Sequence, residues 1–278
     1  MFFGQYLLSK GAVNREALIS AIKRQRKTNL SVVDLAVRDG CIDPQCAEGI
    51  LTRYRTTDAG LEELCLEYGK ISREKLDELL RIQRSQWVRI GAALIHSGHL
   101  TCDQVEEHLA AFDESQREAN QQLAADFCAS KDPETVKTVI ELSVFHLQRF
   151  TNGPVKLLTL STDGGVLASG RRRYAQKLVG DGELYCALDL PSQLATMIAE
   201  IFIGIPVEED GEVAIDAVCE CVNIMGGNAC TRLEASGFRL RPQPPFSTEG
   251  NEPAGEMQSC TPAFVMAGDF EVDLRVFV

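Results

Sequence analysis

The chain has 278 residues, 45% hydrophobic and 24% charged, a globular balance with apolar material for one large or two modest cores, which excludes disorder over most of its length. With 40 Asp and Glu against 28 Lys and Arg the formal net charge is −12, which argues against a nucleic-acid backbone or an anionic membrane surface as the main partner. The surplus is uneven: residues 126–278 carry 22 acidic and 12 basic side chains, residues 1–125 carry 18 and 16, and two domains with those boundaries are expected.

The opening stretch MFFGQYLLSKG has neither a basic leader nor a cleavage site, and no uninterrupted apolar run approaches the roughly 20 residues of a membrane span, so a cytoplasmic protein without membrane insertion is expected. Ten cysteines occur without a CxxC spacing and read as reduced, small hydrophobes rather than as a disulfide framework or metal ligands.

The first domain is a repeat. Gly11, Gly40, Gly69 and Gly98 are spaced 29 residues apart. Two residues after each comes an aliphatic (Val13, Ile42, Ile71, Leu100) and then a helix N-cap (Asn14, Asp43, Ser72, Thr101). Apolar residues at matching positions follow, as in Leu18 with Ile22 and Leu76 with Leu80, and a shorter apolar helix precedes each glycine. An all-α domain of four helix-turn-helix units, folded as two pairs, is predicted.

Phe3-Gly4-x-x-Leu7-x-x-x-Gly11 and Arg89-Ile90-Gly91-x-x-Leu94-x-x-x-Gly98, each with its following helix, resemble the motif of MshE-type N-terminal domains of type II secretion and pilus ATPases. That resemblance implies a cyclic di-GMP surface with Gly4, Gly11, Arg89, Gly91 and Gly98 as nucleotide-binding candidates. The pattern is eroded: Phe2 stands at the first unit's Arg position and Phe112 at the fourth unit's final Gln position. The competing reading is a helical repeat that packs on itself or on a protein.

Residues 113–131 are polar, without Pro or Gly, and read as a helical connector holding the domain boundary. A helix runs from Asp132-Pro133 to Phe150, a strand over 155–161 to an Asp163-Gly164-Gly165 turn, and a helix from Ser192 to Ile203. Alternation around Leu184, Cys186, Leu188 and Leu190, and again around Phe270, Val272, Leu274 and Val276, predicts half-buried strands, the second closing a hairpin through Gly268-Asp269. The Arg171-Arg172-Arg173 run reads as a solvated turn. The whole is an α+β chain: the helical repeat domain, then long helices on a mostly antiparallel sheet.

From Glu212 to Ser236 a helix is predicted with Ile215, Val218, Val222, Met225, Ala229 and Leu233 buried and Asp216, Glu220, Asn223, Gly227 and Glu234 outward. Glu220 and Asn223, spaced i, i+3, are surface neighbours able to act on one bound group. Gly226-Gly227 inside a helix costs about 1 kcal/mol per residue relative to Ala, which is rationalised by close approach of another backbone and places Gly226 and Gly227, with Asp216, on a docking surface.

With the strand GELYCALDL before it, the helix and loop AEIFIGIPVEED, and Pro244-Pro245 after it, Asp216-x-x-x-Glu220-x-x-Asn223 leading into Gly226-Gly227 resembles the CheX and CheC family of chemotaxis phosphatases, CheX more closely because there is one such pair. The resemblance implies hydrolysis of the aspartyl phosphate of a CheY-like receiver domain, with Asn223 placing the attacking water and Glu220 pairing with the receiver's lysine. The enzyme itself needs no cofactor, since the phosphorylated receiver supplies Mg²⁺. Three functions compete: that phosphatase with a regulatory or targeting repeat domain, a non-catalytic adaptor binding a receiver or polar complex, and a cyclic di-GMP receptor. A homodimer is compatible with all three.

Overall fold

The computed structural model describes residues 1–57, 59–160, 167–250, 260–267 and 270–277, the side chains of 260, 264 and 266 excepted. The chain divides into two compact units, Met1–Glu118 and Ala119–Val278, with eleven helices and seven strands among the described residues.

In the first unit short and long helices alternate: α1 (Phe3–Ser9), α2 (Arg15–Thr28), α3 (Val32–Arg38), α4 (Pro44–Thr56), α5 (Leu61–Glu67), α6 (Arg73–Gln86), α7 (Ile90–His96) and α8 (Cys102–Ala129), within which the division falls. The long helices begin at side-chain caps. Asn14, Asp43 and Ser72 accept from the backbone N–H of Ala17, Cys46 and Lys75. Thr101 and Gln104 exchange reciprocal bonds of 2.9 and 3.2 Å, so first-turn donors that lack helical partners are satisfied. Gly11, Gly40 and Gly98 turn the chain at φ of +67°, +69° and +71°, where a Cβ would be strained; in the remaining turn Lys70 takes that conformation at +50°.

The apolar faces close into two cores. Leu7, Leu18, Ala21, Ala93 and Leu94 join the first helix pair to the fourth, and Val33, Leu35, Ile50, Leu64, Leu76 and Leu79 join the second to the third. The chain changes core after α2 and returns after α6, and side-chain amides bind these two connections. Asn29 Nδ2 donates to the Val88 carbonyl at 2.9 Å while the Val88 N–H donates to Asn29 Oδ1 at 2.7 Å. Gln25 Nε2 reaches the same carbonyl at 2.9 Å, and Gln83 Nε2 donates to the Leu30 carbonyl at 3.1 Å.

The second unit holds α9 (Pro133–Phe150), α10 (Ser192–Ile203) and α11 (Glu212–Ala235), and strands β1 (Val155–Leu160), β2 (Arg171–Gly180), β3 (Glu183–Pro191), β4 (Leu240–Pro242), β5 (Phe246–Thr248), β6 (Cys260–Ala267) and β7 (Phe270–Phe277). The sheet order is β1-β6-β7-β3-β2-β4, with β5 also on β2, and every pairing is antiparallel. The helices bury one sheet face: Val136, Ile140, Leu147 and Phe150 of α9 and Val218, Val222 and Met225 of α11 share a core with Leu184, Leu188, Leu190, Val272 and Val276. By length and composition α11 could cross a membrane, but half of it is buried in this core. The predicted turns at Asp163-Gly164-Gly165 and Gly268-Asp269 lie outside the described residues.

Two expectations are corrected. Strands β3 and β7 do not have one wet face: Tyr185, Ala187, Asp189, Asp273, Arg275 and Phe277 are buried as well. The Arg171-Arg172-Arg173 run is no solvated turn but the start of β2, with Arg173 fully buried. The reason is charge pairing across three strands. Arg173 Nε and Nη2 donate to the two Asp189 oxygens at 2.7 and 2.8 Å, and Arg275 Nε donates to Asp189 Oδ2. Asp273 takes Arg171 at 2.9 Å and Arg275 at 3.3 Å. A guanidinium can enter a dry face only with such bidentate partners.

A fragment ending at residue 129 is expected to show a cooperative thermal transition by circular dichroism, and Asn29→Ala to lower its stability by about 1–3 kcal/mol, because the Val88 N–H loses its acceptor while the Val88 carbonyl keeps only Gln25. Asp189→Asn leaves Arg173 and Arg275 without their shared counter-charge; urea denaturation of the full chain is expected to show a loss of about 3–5 kcal/mol.

Candidate functional site

Helix α11 buries Ala214, Ala217, Val218, Cys221, Val222, Met225, Gly226, Ala229, Cys230 and Leu233, which leaves the opposite face of the helix toward solvent. Asp216 and Glu220 are exposed, and Asn223 and Gly227 are half-buried. Asn223 Nδ2 donates to Glu220 Oε2 at 3.3 Å, so the two polar groups meet on one turn. Asp216 stands one turn earlier on the same face. Gly226 departs from the docking expectation. It is buried, and a Cβ there would lie 1.9 Å from Gln176 Oε1 and 3.2 Å from Leu178 Cδ2. The close approach that the glycine pair suggested is real, but it is a strand side chain from inside the core, not a ligand from outside, that fills the space.

Gln176 is a site residue that the sequence reading missed. On β2 it lies in the same inward row as Tyr174 and Leu178, and it is fully buried. Its Nε2 donates to Asn223 Oδ1 at 2.7 Å and to the Gln243 carbonyl at 2.8 Å. That carbonyl is free for a reason. Between the pairs Leu178↔Pro242 and Ala175↔Phe246 the register steps by one residue, leaving a bulge at Gln243-Pro244-Pro245. Pro244 and Pro245 have no N–H to continue the ladder, so the main chain leaves β2 there and Gln176 uses the exposed acceptor. The only sequence signal was one amide in the row Tyr174, Gln176, Leu178, legible once β2 is known to be a strand.

Burial governs the ionisable groups nearby. The Tyr174 hydroxyl is pushed up to about 12 by burial. Burial, then the Asp216 carboxylate, push the Cys219 thiol up to about 11, against an opposing pull from Arg172. Cys221 is raised further, by burial first and then by Glu220 and Cys219. Both thiols are therefore protonated near neutral pH and are poor nucleophiles. Next to the site, Asn228 Nδ2 lies 2.9 Å from Nε2 of the buried His146, tying α11 to α9. Among the described residues no cluster of His, Cys, Asp and Glu could hold a metal ion.

The nucleotide candidates lie in the core joining the first and fourth helix pairs or beside it. A Cβ on Gly4 would lie 2.8 Å from Leu18 Cδ1, and one on Gly91 would lie 2.8 Å from Val105 Cγ1. The space above both glycines is thus taken by the next helix of their own units. Gly11 and Gly98 form open turns, and the exposed Arg89 is the N-cap residue of α7.

A family model described as chemotaxis phosphatase CheX matches residues 175–266, from β2 into β6. No curated protein is matched. Among solved structures, a CheC-like superfamily protein from Shewanella sp. PV-4 is similar at 16% identity over 53% of this chain and 98% of its own, with a TM-score of 0.48. The chemotaxis protein CheX from Vibrio vulnificus is similar at 18% identity over 52% and 98%, TM-score 0.47. A chain of the CheX-CheY-BeF3-Mg complex from Borrelia burgdorferi is similar at 14% identity over 51% and 96%, TM-score 0.42.

Because the Cys219 thiol ionises only near pH 11, its alkylation by iodoacetamide is expected to be much slower at pH 7.5 than that of free glutathione and to accelerate as pH rises through about 11. Mass spectrometry of the labelled peptide reads this directly.

Proposed function

We propose that residues 119–278 are a phosphatase of the CheX kind, hydrolysing the aspartyl phosphate of a CheY-like receiver domain, and that residues 1–118 regulate or target it. One observation carries the reading: the matched stretch 175–266 contains an exposed Glu220 and a half-buried Asn223 on one helical turn, and burial keeps the flanking Cys219 and Cys221 thiols protonated.

The chemistry asks little of this chain. An acyl phosphate is already activated, and the receiver brings its own divalent ion and lysine, so what remains is to hold a water in line with phosphorus. Asn223 does this without ionising, because an amide orients a water through hydrogen bonds alone. The water's oxygen lone pair forms the new P–O bond. The bond from phosphorus to the aspartyl oxygen breaks, its electron pair returns to the aspartate as a carboxylate, and the water's proton leaves with inorganic phosphate or to solvent. Glu220 pairs with the receiver's lysine across a polar surface, a charge-assisted contact that sets register. No covalent intermediate on this protein is involved.

The adaptor reading uses the same face without turnover, and one experiment separates the two. Phosphate release is measured with receivers phosphorylated by acetyl phosphate, and binding with the same receivers. Asn223→Ala is expected to remove the acceleration, with docking changed less than about twofold, because the contact to water matters chiefly in the transition state. Glu220→Ala is expected to weaken docking and rate together. Glu220 is exposed, so its change should shift Tm by no more than a surface substitution does, whereas Asn223→Ala takes an acceptor from the buried Gln176 Nε2 and is expected to lower stability by about 1–3 kcal/mol while leaving the chain folded. Undiminished turnover by a folded Asn223→Ala protein overturns the assignment; binding without acceleration by the wild type favours the adaptor.

A further inference from the structure

We propose that Gln176 is a positioning residue for Asn223, fixing its amide so that the NH2 group and not the carbonyl oxygen is presented to the site. The consequence for turnover rests on the phosphatase reading above; the geometry does not.

The argument starts from an atom whose role is unambiguous. The Gln243 carbonyl can only accept, so the Gln176 atom 2.8 Å from it is Nε2. That same nitrogen lies 2.7 Å from Asn223, and its second hydrogen needs an acceptor, so the Asn223 atom is Oδ1. The Asn223 nitrogen is then left to Glu220 and to solvent, and it donates to Glu220 at 3.3 Å. Turning the Asn223 amide over would set two NH2 groups against each other in a buried place. The main chain at a proline bulge thus dictates, through one side chain, which end of Asn223 faces outward.

The arrangement is poor as a stabilising device. Gln176 is fully buried in a row of core side chains, and its Oε1 has no hydrogen-bond partner among the described residues. It lies where a Cβ at residue 226 would be, so the glycine, itself unfavourable in a helix, is required by this amide. A buried acceptor without a partner is disfavoured, and packing alone calls for an apolar residue here. What the amide gains is a rigid Asn223. With one N–H held by Glu220, the other can donate to a water's oxygen and direct that water's remaining lone pair at phosphorus.

Two variants of the full chain test this. Gln176→Met keeps length and volume but removes both donors; Gly226→Ala keeps Gln176 but takes the space of its carbonyl. For each we expect kcat toward acetyl-phosphate-labelled receivers to fall at least tenfold while KM changes less than about twofold, and the side-chain NH2 resonances of Asn223, assigned by their loss in Asn223→Ala, to move. The double variant is expected to lose little beyond either single one, because both act through one contact. A fall in Tm with kcat unchanged in both variants means a purely structural Gln176 and overturns the proposal, as do multiplicative losses in the double variant. If the wild type accelerates no receiver, the phosphatase reading fails, and the resonances still decide the positioning: unmoved Asn223 signals in Gln176→Met overturn it, and moved ones support it.

Discussion

The missing side chain at residue 226 is the constraint on which the candidate site depends. Because Gly226 has no Cβ, the carbonyl of Gln176 can rest against α11, and its amide nitrogen can then span the Gln243 main chain and Asn223. A methyl group at 226 would have to pass within 1.9 Å of that oxygen. The surface pair Glu220 and Asn223 is therefore the outer end of a chain of hydrogen bonds that begins in the sheet. An Asn without a partner on a helix surface ordinarily samples several rotamers; the half-buried Asn223 is held from beneath by Gln176.

The sheet that supplies Gln176 is itself held by an uncommon second face. Asp189 on β3 receives Arg173 from β2 and Arg275 from β7, which ties the three adjacent strands by charge where the opposite face ties them by apolar contact. Such a cluster need not be more stabilising than a hydrophobic one of equal volume, but it is intolerant of register error. A slip by one residue would put the guanidiniums of β2 among the aliphatic side chains under α9 and α11. Gln176 and Arg173 point to opposite faces of one strand, so the register that buries the arginine with its carboxylate also aims the amide at Asn223.

The first unit solves a different problem with a related device. Four like helix pairs could stack in order, yet the end pairs join each other and the middle pairs join each other. The amides of Asn29, Gln25 and Gln83 satisfy main-chain groups at the two points where the chain changes core. In both units a side-chain amide meets a main-chain group that regular secondary structure leaves unpaired, in one case at a crossing of the chain and in the other at a proline bulge.

Local patterning in the sequence carried what depends on neighbours along the chain. The caps at Asn14, Asp43, Ser72 and Thr101, the limits of α9, α10 and α11, and the common face of Glu220 and Asn223 all follow from periodicity and capping chemistry within one or two turns. Alternation in β3 and β7 located the strands but misjudged their burial, because a charged residue reads as solvent-facing until its partner on another strand is known. Arg173 and Asp189 are 16 residues apart, and Asp189 and Arg275 are 86 apart. The pairing of the first helix pair with the fourth, the inward turn of Gly226 and the link from Gln243 through Gln176 to Asn223 were likewise decided by tertiary structure alone. Each joins groups far apart in the chain, and their hydrogen bonding and burial acquire meaning only when strand register and helix approach have been set.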